Sequence, residues 1–350
     1  MKPGVRFALA AAVLFGASVP FSKALLHGLS PFTLAGLLYL GSGLGLAAWR
    51  LLRLRAAAGS REASLARSDL PWLSAAIFCG GIAAPALLLT GLRSTPAATG
   101  SLLLNLEGVF TALLAWFAFH EHFDRRIALG MATIVAGGLL LSWQGGSATQ
   151  QFSWGALAIM GACLGWAADN NFTRKIAAAD PAQIAMWKGL VAGAVNLVLG
   201  LVTERPHLSS AWAAAGLLGF LSYGVSLVCF VLALRHLGAA RTGAYFSTAP
   251  FVGAALSGLF LREQLATLFW PAAGLMALGV WLHLSEHHEH RHAHEATDHE
   301  HSHTHDEHHQ HEHGSDAPTG EPHSHWHRHE PLMHTHPHTP DLDHQHRHST

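Results

Sequence analysis

The chain has 350 residues, half of them hydrophobic, with 21 lysines and arginines, 22 aspartates and glutamates, and 29 histidines. A net charge near zero excludes a basic nucleic-acid-binding surface, and the averages mix two unlike parts. Up to about residue 284 Leu, Ala, Gly, Val and Phe dominate; beyond Ser285 the chain is almost entirely His, Asp, Glu, Thr, Ser and Pro.

The chain opens on Met1-Lys2-Pro3-Gly4-Val5-Arg6 and an apolar run, in the manner of a secretory signal. The run continues to about Leu29, longer than a signal's apolar core, so it reads as a first membrane helix. A span needs about 20 mostly apolar residues. Segments of that kind lie at residues 5–28, 32–52, 71–92, 96–119, 127–143, 154–175, 182–202, 211–234, 241–261 and 265–284. Turn or charge signals separate them, among them Ser30-Pro31, Ser94-Thr95-Pro96, Gly145-Gly146-Ser147, Asp180-Pro181 and Glu204-Arg205-Pro206. The expected fold is therefore an all-α polytopic membrane protein of ten helices.

Loop charges set the expected orientation. With the N-terminus inside, one face collects Lys2, Arg6, Arg50, Arg53, Arg55, Arg61, Arg67, Arg125, Arg126, Arg174, Lys175, Arg235 and Arg241. The other collects Arg93, Arg205 and Arg262. Both termini are then cytoplasmic, in a bacterial inner membrane. Cys79, Cys163 and Cys229 lie singly in different apolar segments and read as small packing residues, not a thiolate site.

The two halves echo each other. Phe21-Ser22-Lys23 matches Phe172-Thr173-Arg174, Gly91-Leu92-Arg93 matches Ala233-Leu234-Arg235, Thr99-Gly100 matches Thr242-Gly243, and His120-Glu121 matches Arg262-Glu263. Five spans per repeat is an odd number, so the halves are inverted, as in secondary transporters that handle substrate at the midplane. The stretch Phe15-Gly16-x-Ser18-x-Pro20-x-x-Lys23 resembles the start of an EamA repeat of the drug/metabolite transporter superfamily. Phe110-Thr111-Ala112-Leu113-Leu114-Ala115-Trp116 leading to Glu121, then Gly130 and Gly137-Gly138, resembles it too, and Ala249-Pro250-Phe251 through Glu263 repeats it. The resemblance implies two inverted five-helix repeats, at 5–144 and 153–284, and transport without a built-in ATPase; no Walker-type loop is present. The family often has proline in the middle of the fourth helix, kept here as Pro250, whereas the first repeat carries Glu107 there.

Polar residues inside apolar spans mark the candidate path. A carboxylate at mid-membrane costs about 2.5–3.5 kcal/mol on insertion scales, so Glu107 is expected to face the bundle interior as a proton-coupling group or cation ligand, or as a hydrogen-bonded structural residue. Asn105 precedes it. In the sixth segment Asp169-Asn170-Asn171 reads equally as an oxygen-rich cation site or as an ion pair between Asp169 and Lys188. Lys23, near the outer end of the first segment, reads equally as a path residue or as one that snorkels to the interface, and Asn196 and Tyr245 read as interhelical hydrogen-bonding residues ahead of substrate ligands. His120, Glu121 and His122 are candidates for a metal relay at the cytoplasmic end of the fourth helix, with a structural Glu121 as the plainer alternative.

The tail, residues 285–350, carries His287, His288, His290, His292, His294, His299, His301, His303 and His305. It continues with His308, His309, His311, His313, His323, His325, His327, His329, His334, His336, His338, His344, His346 and His348. With so few apolar residues it is expected to be disordered. Neutral imidazoles in His-x-His steps with interspersed carboxylates suit nickel, cobalt, zinc or copper. A His-rich C-terminus also makes the chain similar to cobalt and nickel resistance members of the superfamily. The leading expectation is thus a proton-coupled exporter of nickel or cobalt. The alternative is an exporter of an amino-acid-like organic metabolite with a metal-responsive regulatory tail; an aromatic cavity using Trp166, Trp187 and Tyr245 would favour it. A metal sensor without flux is a third class. No enzymatic activity and no tightly bound cofactor are expected; the partners are the bilayer and divalent metal ions, without nucleic acid, with a homodimer as an open possibility.

Overall fold

The computed structural model describes residues 3–55, 64–119, 125–142, 153–176, 179–203, 206–284, 289–294, 297–303, 323–329 and 332–337. Within residues 3–284 the described residues are all-helical or in short turns. The first half runs α1 (Pro3–Gly16), α2 (Ser18–Leu25), α3 (Pro31–Arg55), α4 (Leu70–Ala76), α5 (Ala84–Ser94), α6 (Ala97–Leu103), α7 (Leu106–Phe119) and α8 (Arg125–Ser142). The second runs α9 (Trp154–Arg174), α10 (Pro181–Thr203), α11 (Ser210–Gly219), α12 (Ser226–Phe246), α13 (Ala249–Leu261) and α14 (Phe269–Leu284).

Six helical stretches are long and apolar enough to cross a membrane by length and composition: Pro3–Leu25, Pro31–Leu52, Arg67–Ser94, Ala97–Leu114, Ala182–Thr203 and Ser210–Ala233. Shorter apolar helices cover Arg126–Ser142, Ala249–Leu261 and Phe269–Leu282. The surface is apolar in the way lipid requires: Val202, Leu259 and Trp270 are each about two-thirds exposed or more. Buried among the helices are Asn105, Asp169, Asn171, Asn196 and Thr242. This chain is a membrane protein.

Close helix approach rests on small residues, since lipid offers no hydrophobic drive between helices. Gly43 of α3 and Gly189 of α10 face each other so closely that a Cβ on Gly189 would lie 2.7 Å from the Gly43 nitrogen.

Two features of the helices were not legible in the hydropathy pattern. α4 and α5 are joined through a π-helical stretch, Ile77–Ala83, and α11 and α12 through another, Phe220–Val225. The stretches occupy corresponding places in the two halves. π-Bulges free backbone carbonyls from the regular ladder and recur at functional sites.

The expected break between segments 211–234 and 241–261 is not seen: α12 runs unbroken from Ser226 to Phe246, and the interruption falls at residues 247–248. No proline stands between Leu234 and Thr242, whereas Pro250 sits in the first turn of α13, where its ring starts a helix more readily than it continues one. In the first repeat Pro96 does mark the start of a helix, as the N-cap of α6.

In the tail, described residues pair as two antiparallel ladders, β1 (Glu289–His294) with β4 (Leu332–Pro337) and β2 (Thr297–His303) with β3 (His323–His329). The register sets His290 opposite His336, His292 opposite His334, His299 opposite His327, His301 opposite His325 and His303 opposite His323. Strict His-x-His alternation has the period of a strand, which a count of apolar residues does not register. His287, His288, His305, His308, His309, His311, His313, His338, His344, His346 and His348 lie outside the described residues, as do His120, Glu121 and His122.

Candidate functional site

The fourth helix breaks at Leu104-Asn105, and Glu107 stands in the first turn of α7 just beyond the break. The helix yields there without a proline because Asn105 offers its own bonding. Its Nδ2 donates to the Leu102 carbonyl at 2.9 Å and lies 4.0 Å from the Met276 sulfur of α14. Asn105 thus serves the break and packs against α14.

Glu107 Oε1 accepts from Asn170 Nδ2 of α9 at 2.9 Å, and the same amide reaches Thr111 Oγ1 at 3.3 Å. Asn171 spends its amide on the α9 and α7 backbones, donating to the Ala167 carbonyl at 2.9 Å and the Thr111 carbonyl at 3.4 Å. Asn170 is exposed, and a Cβ added at Gly108 would meet nothing within 4 Å, so open space adjoins this part of α7 and α9.

Asp169, one residue away, is already neutralised. Lys188 Nζ of α10 donates to Asp169 Oδ1 at 2.6 Å and to Oδ2 at 2.7 Å, and Thr173 Oγ1 also donates to Oδ1 at 2.9 Å. Of the two readings of the Asp169-Asn170-Asn171 cluster, the ion pair is the one realised. Glu107 has no cation within salt-bridge distance among the described residues. The intramembrane carboxylates thus differ: Asp169 is paired, and Glu107 is held by an amide.

Tyr39 of α3 donates to the Gly80 carbonyl at 2.8 Å, and Trp166 Nε1 of α9 donates to the same carbonyl at 2.9 Å. Asn196 Nδ2 of α10 donates to the Gly81 carbonyl at 2.8 Å, in keeping with the interhelical role expected of it. Both carbonyls belong to the π-helical stretch, so its freed acceptors are satisfied by three helices at once. Tyr39 stacks on Tyr223 with ring centroids 5.5 Å apart, Tyr223 meets Phe15 edge-on at 5.8 Å, and Phe15 meets Phe246 at 5.4 Å. The interior is thus an aromatic wall with Asp169 behind Gly80 and with Glu107 tied by Asn170 to α9, one turn beyond Trp166. Of the aromatics expected, Trp166 belongs to it; Trp187 is 43% exposed, away from the core. Tyr39 and Tyr223 escaped notice, although the Gly80-Gly81 pair in mid-span was a signal that backbone is exposed there.

Gly80 ties the wall to the ion pair, since a Cβ at that position would overlap the Asp169 carboxylate. Gly80→Ala is expected to displace Asp169 from Lys188 and lower the melting temperature in detergent, whereas Gly108→Ala, facing open space, is expected to leave it unchanged. Equal melting temperatures for the two variants would refute this placement.

Three or more His, Cys, Asp or Glu side chains are nowhere gathered into a metal-holding group among the described residues. The family described as EamA-like transporter matches residues 2–143 and 153–285. An uncharacterized transporter of Methanothermobacter thermautotrophicus is 29% identical over 289 residues, which is 78% of this chain and 84% of that protein. A probable amino-acid metabolite efflux pump of Salmonella typhimurium is 25% identical over 204 residues, 54% of this chain and 68% of the relative. A probable 4-amino-4-deoxy-L-arabinose-phosphoundecaprenol flippase subunit of Pseudomonas fluorescens is 36% identical over 84 residues, 24% of this chain and 73% of the relative. A crystal structure at 18% identity superposes with a TM-score of 0.58, covering 80% of this chain and 95% of the other, which shows a shared fold.

Proposed function

Because the chain belongs to the EamA-like transporter family and is a carrier, not an enzyme, we propose that it exports a small organic molecule bearing an ammonium group, amino-acid-like in size. The observation that carries this is the Glu107 carboxylate, free of any cation within salt-bridge distance among the described residues and bonded to Asn170, one helical turn along α9 from Trp166 of the aromatic wall. A carboxylate next to aromatic faces attracts an organic cation through charge and cation–π interaction while leaving room for its apolar body. Two of the relatives, a probable amino-acid metabolite efflux pump and a probable amino-arabinose flippase subunit, are named for amine-bearing cargo. Glu107 would hold the ammonium from the cytoplasmic side and take a proton in its place after release, coupling export to proton entry.

Divalent nickel or cobalt fits this interior less well. Such a cation would need several oxygen or imidazole ligands, and Lys188 already occupies Asp169. The tail then acts as a regulator: its histidines bind divalent metal on the cytoplasmic side and tune flux.

Counterflow in proteoliposomes with a panel of labelled amino acids and amines, run beside nickel and cobalt, tests the reading. Saturable exchange of an amine is expected; nickel flux without amine flux overturns it. Truncation after Leu284 is expected to leave amine exchange within about twofold of the full chain while removing any response to added zinc or nickel. A truncated protein that still responds to metal would refute a regulatory tail.

A further inference from the structure

At one end of the bundle the turn between α5 and α6 is held by two opposite charges. Lys23 Nζ of α2 donates to the carbonyls of Leu92 and Arg93 (3.3 Å), among the last acceptors of α5, and of Thr95 just past its end (3.1 Å). Glu263, just past α13, accepts from the Ala97 amide at 2.7 Å and the Ala98 amide at 2.9 Å, the first donors of α6. The last carbonyls and first amides of helices have no partner within the helix, and the ends carry partial negative and positive charge respectively. Each side chain therefore meets the helix end of opposite sign.

The arrangement spans both repeats, since Glu263 belongs to the second and α6 to the first. It is held under strain: Arg262, immediately before Glu263, is the one non-glycine residue with positive φ among the described residues, at 50°. A non-glycine residue in that region is disfavoured and persists where its surroundings impose it. α9 presses on the same turn from the second repeat, because a Cβ at Gly155 would run into Thr95 and Ser94. Beneath it, the Ser101 hydroxyl and the Thr95 hydroxyl are buried without a hydrogen-bond partner. The opposite end is held by a different contact, Arg50 Nη1 to Asp180 Oδ2 at 2.8 Å, with Asp180 also accepting from the first amides of α10.

We propose that Lys23 and Glu263 form a clamp that keeps this end of the transporter closed, and that it must release for the two repeats to part there. Electrostatic capping suits a gate because water replaces the bonds at little net cost once the end opens. A covalent or deeply apolar closure would not reverse so readily.

The test reads opening directly. In a variant with Cys79, Cys163 and Cys229 replaced by alanine, Ser101→Cys reports access to the space beneath the turn, using a hydrophilic maleimide on protein in nanodiscs. Glu263→Gln and Lys23→Met are each expected to raise the labelling rate about fivefold or more, and Glu263→Asp to restore most of the protection. Asp180→Asn, at the other end, is expected not to raise it. Unchanged labelling in both Glu263→Gln and Lys23→Met overturns the clamp, and so does an equal increase in Asp180→Asn, which would show general loosening. If Glu263→Gln fails to fold, Lys23→Met decides the question alone, since it leaves the acidic cap in place.

Discussion

Glu107→Gln is expected to reduce amine counterflow by about 10- to 100-fold, the loss of one charge-assisted contact worth about 1.5–3 kcal/mol. The bundle itself should tolerate the change. The glutamine keeps an oxygen for the Asn170 amide, which now donates to Glu107 Oε1 at 2.9 Å, and burying a neutral amide costs less than burying a carboxylate. Thermal stability in detergent should therefore hold or rise while exchange falls, a combination that separates a substrate-binding carboxylate from a structural one. Glu107→Asp should retain part of the activity, because the charge remains and only its reach shortens. Full exchange in Glu107→Gln would remove Glu107 from the transport path.

Disrupting the Asp169–Lys188 pair is expected to have the largest effect on stability. The two side chains are 8% and 18% exposed, so removing either partner leaves the other charge in an interior that water reaches poorly. Asp169→Asn and Lys188→Met should each cost about 3–5 kcal/mol, the range for a buried charge stripped of its counter-ion. The double variant should be far less destabilised than the sum, because no unpaired charge remains. A double-mutant cycle from denaturation in detergent should return a coupling of about 2 kcal/mol or more. Strictly additive losses would mean the two groups do not act as a pair. A stable double variant without exchange would add a role for the pair in handling substrate; a stable and active one would make it structural.

The closure of the Lys23–Glu263 end and the Glu107 site involve separate residues, so their tests are independent. Loss of exchange in Glu107→Gln with normal Ser101→Cys protection would leave the clamp standing, and faster labelling in Lys23→Met would say nothing of the cargo.

Much of the fold could be read from residue types alone. The long apolar runs announced membrane helices because about 20 apolar residues is a property of composition, independent of partners. The echo of Phe21-Ser22-Lys23 in Phe172-Thr173-Arg174 announced two repeats, which the family match over residues 2–143 and 153–285 bears out. Glu107 and Asp169 stood out because a carboxylate in an apolar run is costly wherever it points.

What each of them does was decided only by tertiary contacts. Asp169 and Lys188 are nineteen residues apart on different helices, so whether they pair or bind cargo depends on how α9 and α10 pack. What Lys23 bonds to is hidden from the sequence because its partners are backbone carbonyls at and just past the end of α5, which no side-chain pattern reveals. The π-helical stretch at Ile77–Ala83 and the aromatic wall around Gly80 likewise depend on three helices meeting one carbonyl pair. Membrane insertion is settled segment by segment through hydrophobicity, and so it can be read along the chain. The charge partners and the closure of the bundle are settled by which helix ends meet across the two repeats, and that is a property of the packed structure alone.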